Sequence, residues 1–208
     1  MLPFRFYLIT DRLGSGQDTA EWLPQLAAAG LRALQVREKD LSPAALYAHC
    51  CTLQAVLGES SARPALYLND RADLALALGF TGVHLREDSL PLAAQPTALR
   101  RALCWGVSTH SVAGVRTAAA AGADFATFGP VFATPSKADY GEPLGLAALA
   151  EAAAATHLPL LALGGVTPER AADCLVAGAQ GVAAISAVWA APHPVRALES
   201  FGAALGGL

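Results

Sequence analysis

Aromatic residues are scarce in this chain, at 7% of 208 residues, and charged residues make up only 15%. Sandwich cores draw heavily on aromatic and β-branched residues. Here alanine and leucine dominate a hydrophobic content of 54%, which favours many short, small-residue helices. Neither charge sign is in large excess. A net charge of −3 gives no bulk electrostatic case for nucleic acid or an anionic membrane as a partner, so any anion site must be a local cluster. No uninterrupted apolar run approaches the ~20 residues that a membrane helix needs. The start, Met1-Leu2-Pro3-Phe4-Arg5, lacks a basic region followed by an apolar run and a small-residue cleavage site, so no signal peptide is expected. Cysteine is limited to Cys50, Cys51, Cys104 and Cys174, with no CxxC and no matching histidine spacing. That pattern argues against a metal site or disulfide framework and for buried or semi-buried thiols in a reducing cytoplasm. No linker or low-complexity segment divides the chain, so residues 1–208 read as one domain.

What is present is a regular alternation. Short, continuously apolar runs at 6–9, 33–36, 65–68, 82–85, 104–107, 125–128, 160–163 and 182–185 read as parallel strands buried on both faces. Helices are expected between them at 18–29, 42–57, 70–78, 93–103, 112–121, 146–155, 167–177 and 194–205. Their ends carry the usual punctuation: Ser42-Pro43 and Thr167-Pro168 at starts, and Gly30, Gly58, Gly122 and Gly178 at stops. Eight strand–helix units allow a closed barrel or an open doubly wound sheet. The segments AGLRALQVRE, LGFTGVHLRE, AGADFATFGP and AGAQGVAAIS each place a helix-ending glycine just before a strand. Such recurrence of one unit favours closure, hence an α/β (βα)₈ TIM barrel with its site at the carboxyl ends of the strands.

Polar residues gather at those ends. After the second strand, alternation points Gln35, Arg37 and Lys39 to one side. Two cations and an amide there suit an anion such as a diphosphate, or they form a solvated strand end. After the third strand, Asn69-Asp70-Arg71 offers either a helix N-cap in Asp70 or a hard oxygen ligand for Mg²⁺. His84-Leu85-Arg86-Glu87-Asp88-Ser89 follows the fourth strand and Ser108-Thr109-His110-Ser111 the fifth; His110 reads equally as a structural residue. The longest irregular stretch, 129–141, carries Thr134, Ser136 and Lys137, donors suited to phosphate oxygens. Gly164-Gly165 and Ile185-Ser186 close the seventh and eighth strands, where barrels usually hold phosphate.

Taken in order, YLITD, QVREK, LNDRADLAL, GVHL, GVSTHS, GPVFATPSK, ALGGVTPE and GVAAIS resemble the thiamine phosphate synthase/TenI family nearly end to end. The resemblance implies a barrel enzyme of thiamine biosynthesis. It would join 4-amino-2-methyl-5-hydroxymethylpyrimidine diphosphate to 4-methyl-5-(2-phosphoethyl)thiazole, releasing diphosphate with Mg²⁺. By the same resemblance Gln35, Arg37, Lys39, Asn69, Ser108 and Lys137 hold the pyrimidine diphosphate, with Arg37, Ser108 and Lys137 counted as catalytic. Asp70 is one Mg²⁺ ligand. Thr134, Ser136, Gly165, Ile185 and Ser186 form the thiazole phosphate site. The chain departs from the pattern at Ser89, where the synthases carry a second acidic ligand; the adjacent Asp88 is the candidate to take its place if the loop shifts. TenI-type proteins instead aromatise the thiazole phosphate without metal, using a histidine that corresponds to His110. A non-catalytic binder that keeps the pocket is a third reading. The implied partners are small molecules, with no nucleic acid or membrane, and a homo-oligomer is compatible with the sequence.

Overall fold

The structure is a computed structural model and describes residues 2–58, 62–134 and 142–208. Eight parallel strands close into one barrel in sequence order: β1 (Phe6–Ile9), β2 (Ala33–Val36), β3 (Ala65–Asn69), β4 (Gly82–Leu85), β5 (Cys104–Thr109), β6 (Phe125–Phe128), β7 (Leu160–Ala162) and β8 (Gly181–Ala184). Closure is made by β1 on β8, with Tyr7 opposite Ala183. The expected (βα)₈ barrel is therefore the fold found. Among the described residues, no helix is long and apolar enough to cross a membrane.

Strand alternation divides the core in two. Phe6, Leu8, Leu34, Val36, Leu66 and Leu68 face outward and pack beneath the helices. Tyr7, Ile9, Ala33, Tyr67, Phe125, Leu161 and Ala183 face inward and fill the barrel. Phe4 closes the lower end, stacked on Tyr7 at 5.7 Å and edge-on to Phe125 at 5.8 Å. The few aromatic residues are thus concentrated where a wide interior needs bulk, and Gly106 makes room for them. A Cβ there would lie 2.5 Å from both His84 Nδ1 and Phe125 Cζ.

The helices are α1 (Arg12–Ser15), α2 (Thr19–Ala28), α3 (Pro43–Leu57), α4 (Ala72–Ala77), α5 (Thr97–Ala102), α6 (Val112–Ala120), α7 (Gly145–Ala154), α8 (Pro168–Val176), α9 (Ser186–Trp189) and α10 (Pro194–Leu205). Ser42 caps α3 by accepting from Ala45 N–H, Asp18 caps α2 from Ala20 N–H, and Ser111 caps α6 from Gly114 N–H. Thr167 flanks α8 without a side-chain cap bond. The segment expected as one helix over 93–103 is a 3₁₀ turn at Leu92–Ala94 followed by α5, because Pro96 holds the residue before it extended. The helix expected over 70–78 starts only at Ala72, and its cap position is Arg71. Asp70 is therefore not the helix cap. It stands before the helix with φ of +60°, the one described non-glycine residue with positive φ.

Candidate active site

The inward face of β2 and its extension carry Gln35, Arg37 and Lys39 into one cleft of about 350 Å³. The intervening Glu38 turns the other way, is buried, and accepts from the backbone N–H of Arg12 at 3.2 Å, which ties α1 to the strand end. Exposure grades outward along this strand end: Gln35 is buried, Arg37 half-buried and Lys39 exposed. Its Nε2 donates to Asn69 Oδ1 at 3.3 Å, and Arg37 N–H donates to Thr10 Oγ1 at 2.9 Å. Burial lowers the Arg37 pKa, opposed by nearby Asp11 and reinforced by the like charge of Arg86. Asn69, Ser108 and His110 line the same cleft.

Beneath it, Ser108 Oγ lies 3.0 Å from His84 Nε2, and Thr127 Oγ1 lies 3.4 Å from the same nitrogen. His84 is fully enclosed between Tyr7 and Phe125. Burial depresses its pKa to about 3, with Asp70 pulling upward and Arg37 downward, so its ring is neutral at physiological pH. A neutral buried imidazole serves as a fixed prop for the Ser108 hydroxyl.

Asp70 occupies the carboxylate position expected for a metal ligand, and its oxygens are already engaged. Oδ2 accepts from Arg86 Nε at 2.7 Å and from Asn69 Nδ2 at 2.9 Å. Oδ1 accepts from the Ser89 hydroxyl and from Arg86 N–H at 3.3 Å. Burial pushes the Asp70 pKa up, but the bonds from Ser89 and Arg86 more than offset it and the net shift is downward. Asp88 lies with Oδ2 3.3 Å from Arg86 Nη1. Both acidic candidates are thus paired with one guanidinium. Among the described residues, no group of three or more His, Cys, Asp or Glu side chains is placed to hold a metal ion. A divalent cation needs oxygen lone pairs that here already accept protons, so these side chains do not fit it.

A second cleft, of about 380 Å³, opens beside the first and shares His110, Leu163 and Ile185 with it. Thr134, Gly164, Gly165 and Ser186 line it. The glycines are dictated by close approach: Gly165 has φ of +61°, and a Cβ on it would fall 2.4 Å from the Ala133 carbonyl oxygen. Val131 and Phe132 N–H donate to the Leu163 and Gly164 carbonyls at 2.9 Å each, fastening the start of the long loop over β7. The short helix α9 begins at Ser186. His110 stands at the junction, its Nδ1 bonded to the Gly129 carbonyl and its Nε2 4.0 Å from Glu87 Oε2.

Ser136 and Lys137 lie outside the described residues. The other expected site residues, apart from the Asp70, Asp88 and Ser89 cluster already placed, line one or other cleft. Two cations were not singled out from sequence. Arg86 follows His84 by two, so the parity that points His84 inward points Arg86 at the mouth. Arg170 comes from α8, where no strand end marks it; its Nη1 donates to the Gly165 carbonyl at 2.8 Å, and its guanidinium lies 4.8 Å from the Phe132 ring centroid.

Comparison with known proteins agrees with this geometry. A family model described as thiamine monophosphate synthase matches residues 6–188. The chain is 40% identical over 201 residues to a thiamine-phosphate synthase of Roseiflexus castenholzii, covering 93% of this chain and 85% of that one. It is 39% identical over 188 residues to a thiamine-phosphate synthase of Methanoculleus marisnigri, covering 90% and 88%. Its structure resembles thiamine phosphate pyrophosphorylase from Pyrococcus furiosus with a TM-score of 0.86 at 28% identity, over 97% of this chain and 95% of that one. The chain belongs to the thiamine monophosphate synthase family.

Proposed function

We propose that the chain is a transferase that joins 4-amino-2-methyl-5-hydroxymethylpyrimidine diphosphate to 4-methyl-5-(2-phosphoethyl)thiazole, giving thiamine phosphate and diphosphate. The observation that carries this reading is the pair of adjoining clefts. One is lined by Gln35, Arg37, Lys39, Asn69 and Arg86, the other by Thr134, Gly165 and Ser186, and they meet at His110, Leu163 and Ile185.

Such an arrangement suits a dissociative displacement. The bond between the pyrimidine methylene carbon and the diphosphate oxygen breaks, its electron pair leaving with the diphosphate. The amino-substituted ring delocalises the resulting positive charge. The thiazole nitrogen then gives its lone pair to the methylene carbon. No side-chain nucleophile is needed. Arg37, Lys39 and Arg86, with Lys137 from the long loop, stabilise the charge that develops on the departing diphosphate. The shared wall of Leu163 and Ile185 brings the two rings together, which accounts for much of the rate gain in a two-substrate reaction. Ser108, held by His84, donates to the diphosphate side.

The Mg²⁺ that the resemblance assigns to Asp70 does not fit the donors present, and no step here passes through it. In this reading the thiols remain reduced in the cytoplasm, in keeping with the four free cysteines. A second reading rests on His110. With Nδ1 turned to the Gly129 carbonyl, Nε2 is the ring nitrogen left for proton transfer at the cleft junction, as a thiazole tautomerase would require. The two readings separate in one assay. Purified protein given both synthase substrates forms thiamine phosphate under the first; under the second it forms none, and isomerises the non-aromatic thiazole phosphate when that is supplied separately.

A further inference from the structure

We propose that Arg86 stands in this site where a divalent cation would otherwise stand, so that the chain grips a diphosphate through guanidinium groups and binds it without a metal ion. The proposal rests on the diphosphate cleft assigned above and concerns how that cleft supplies its positive charge.

Three observations converge on it. A carboxylate offers about four lone-pair sites, and four protein donors reach Asp70, one of them the Arg86 N–H that it shares with Ser89 Oγ at 2.9 Å. Two of those donors belong to Arg86, whose side chain and backbone grip opposite oxygens. Ser89, at the position where a second carboxylate would be needed, is itself a donor to Asp70 and not a free ligand. A hard cation such as Mg²⁺ keeps near-octahedral oxygen coordination, usually including a carboxylate, and would have to strip Asp70 of these partners.

The guanidinium is also suitably placed to replace it. Nε is held by Asp70, and Nη1 lies 3.3 Å from the exposed Asp88 carboxylate. Among the described residues Nη2 has no protein partner, and Arg86 lines the cleft with Gln35, Arg37 and Lys39. A planar guanidinium in the cleft wall matches two oxygens of a diphosphate. Arg86 lies near enough for its charge to lower the Arg37 pKa, and a further dication at Asp70 would add to that repulsion. Asp70 becomes a positioning residue: it orients Arg86 and does not itself touch the ligand.

Inorganic diphosphate titrated calorimetrically into the intact protein tests this, first in buffer with EDTA and then with excess Mg²⁺. The proposal expects saturable binding in EDTA, weakened at least tenfold by Arg86→Gln and by the isosteric Asp70→Asn, with circular dichroism unchanged in both. It is overturned if binding vanishes in EDTA and returns with Mg²⁺, or if Arg86→Gln binds as tightly as the parent. Failure of the proposed synthase activity would look different, as intact diphosphate binding without any thiamine phosphate formed.

Discussion

Replacing Gly165 with alanine perturbs the second cleft alone, and its cost follows from geometry. Residue 165 sits at φ +61°, where a side chain costs ~1–2 kcal/mol. The new Cβ would meet the Ala133 oxygen at 2.4 Å and the Phe132 Cβ at 2.9 Å, both in the segment that roofs the cleft. That segment is pinned by the bonds of Val131 and Phe132 to β7, so it yields by shifting as a unit, at ~1–3 kcal/mol for overpacking. Together these give about 2–5 kcal/mol, or a fall in Tm of roughly 4–20 °C for a domain of this size. Because Thr134 lies in the displaced segment, KM for the thiazole phosphate should rise at least tenfold. Binding of diphosphate to the first cleft should change less than twofold. Steady-state kinetics with each substrate varied in turn, alongside a thermal melt, measures all three. A folded variant with unchanged KM for the thiazole phosphate would refute the assignment of this cleft.

Other substitutions probe the remaining links. Phe4→Ala removes the plug that packs against Tyr7, Tyr67 and Phe125 and should cost ~3–5 kcal/mol, read as a lowered urea midpoint. His110→Asn should leave thiamine phosphate formation within about tenfold of the parent, a modest loss for a general acid–base group that the synthase does not need; abolition of that activity contradicts a synthase mechanism that needs no acid–base group, and abolition of isomerisation alone supports the tautomerase reading. His84 should make acid unfolding steeper. Its folded pKa of about 3 lies below the ordinary 6.5, so the unfolded chain binds the extra proton. Its contribution to stability is whole above pH 6.5 and is lost as pH falls from 6.5 toward 3, at up to about 1.4 kcal/mol per pH unit. His84→Gln should flatten the stability profile in that window, and an unchanged slope would mean the histidine is not enclosed as described.

Much of the fold was legible because parallel barrel strands are buried on both faces and announce themselves as unbroken apolar runs. β1, β2, β4 and β6 coincide with their runs, β3, β5 and β7 differ by one or two residues at the carboxyl end, and β8 is offset by one residue. Periodicity was silent on α1 and α9, since four residues make little more than a turn. The strand-end rule found most of the site, because alternation and chain order decide which side chains reach a barrel mouth. It missed what depends on tertiary pairing. Nothing local says that Asp70 adopts a left-handed backbone or that Arg86 folds back onto it. Arg170 reaches the second cleft only because α8 packs Phe132 and Gly165 within its grasp. The departure at Ser89 was visible in the sequence. Its consequence, a guanidinium closing the carboxylate, arises only from the fold bringing β3 and β4 together.

The central claim is that these two clefts join two substrates, and product stoichiometry tests it most directly. Purified protein given the pyrimidine diphosphate and the thiazole phosphate, with Mg²⁺ present, should release thiamine phosphate and inorganic diphosphate in equal amounts, and neither when one substrate is omitted. Diphosphate released without thiamine phosphate, or neither product at all, would contradict the account.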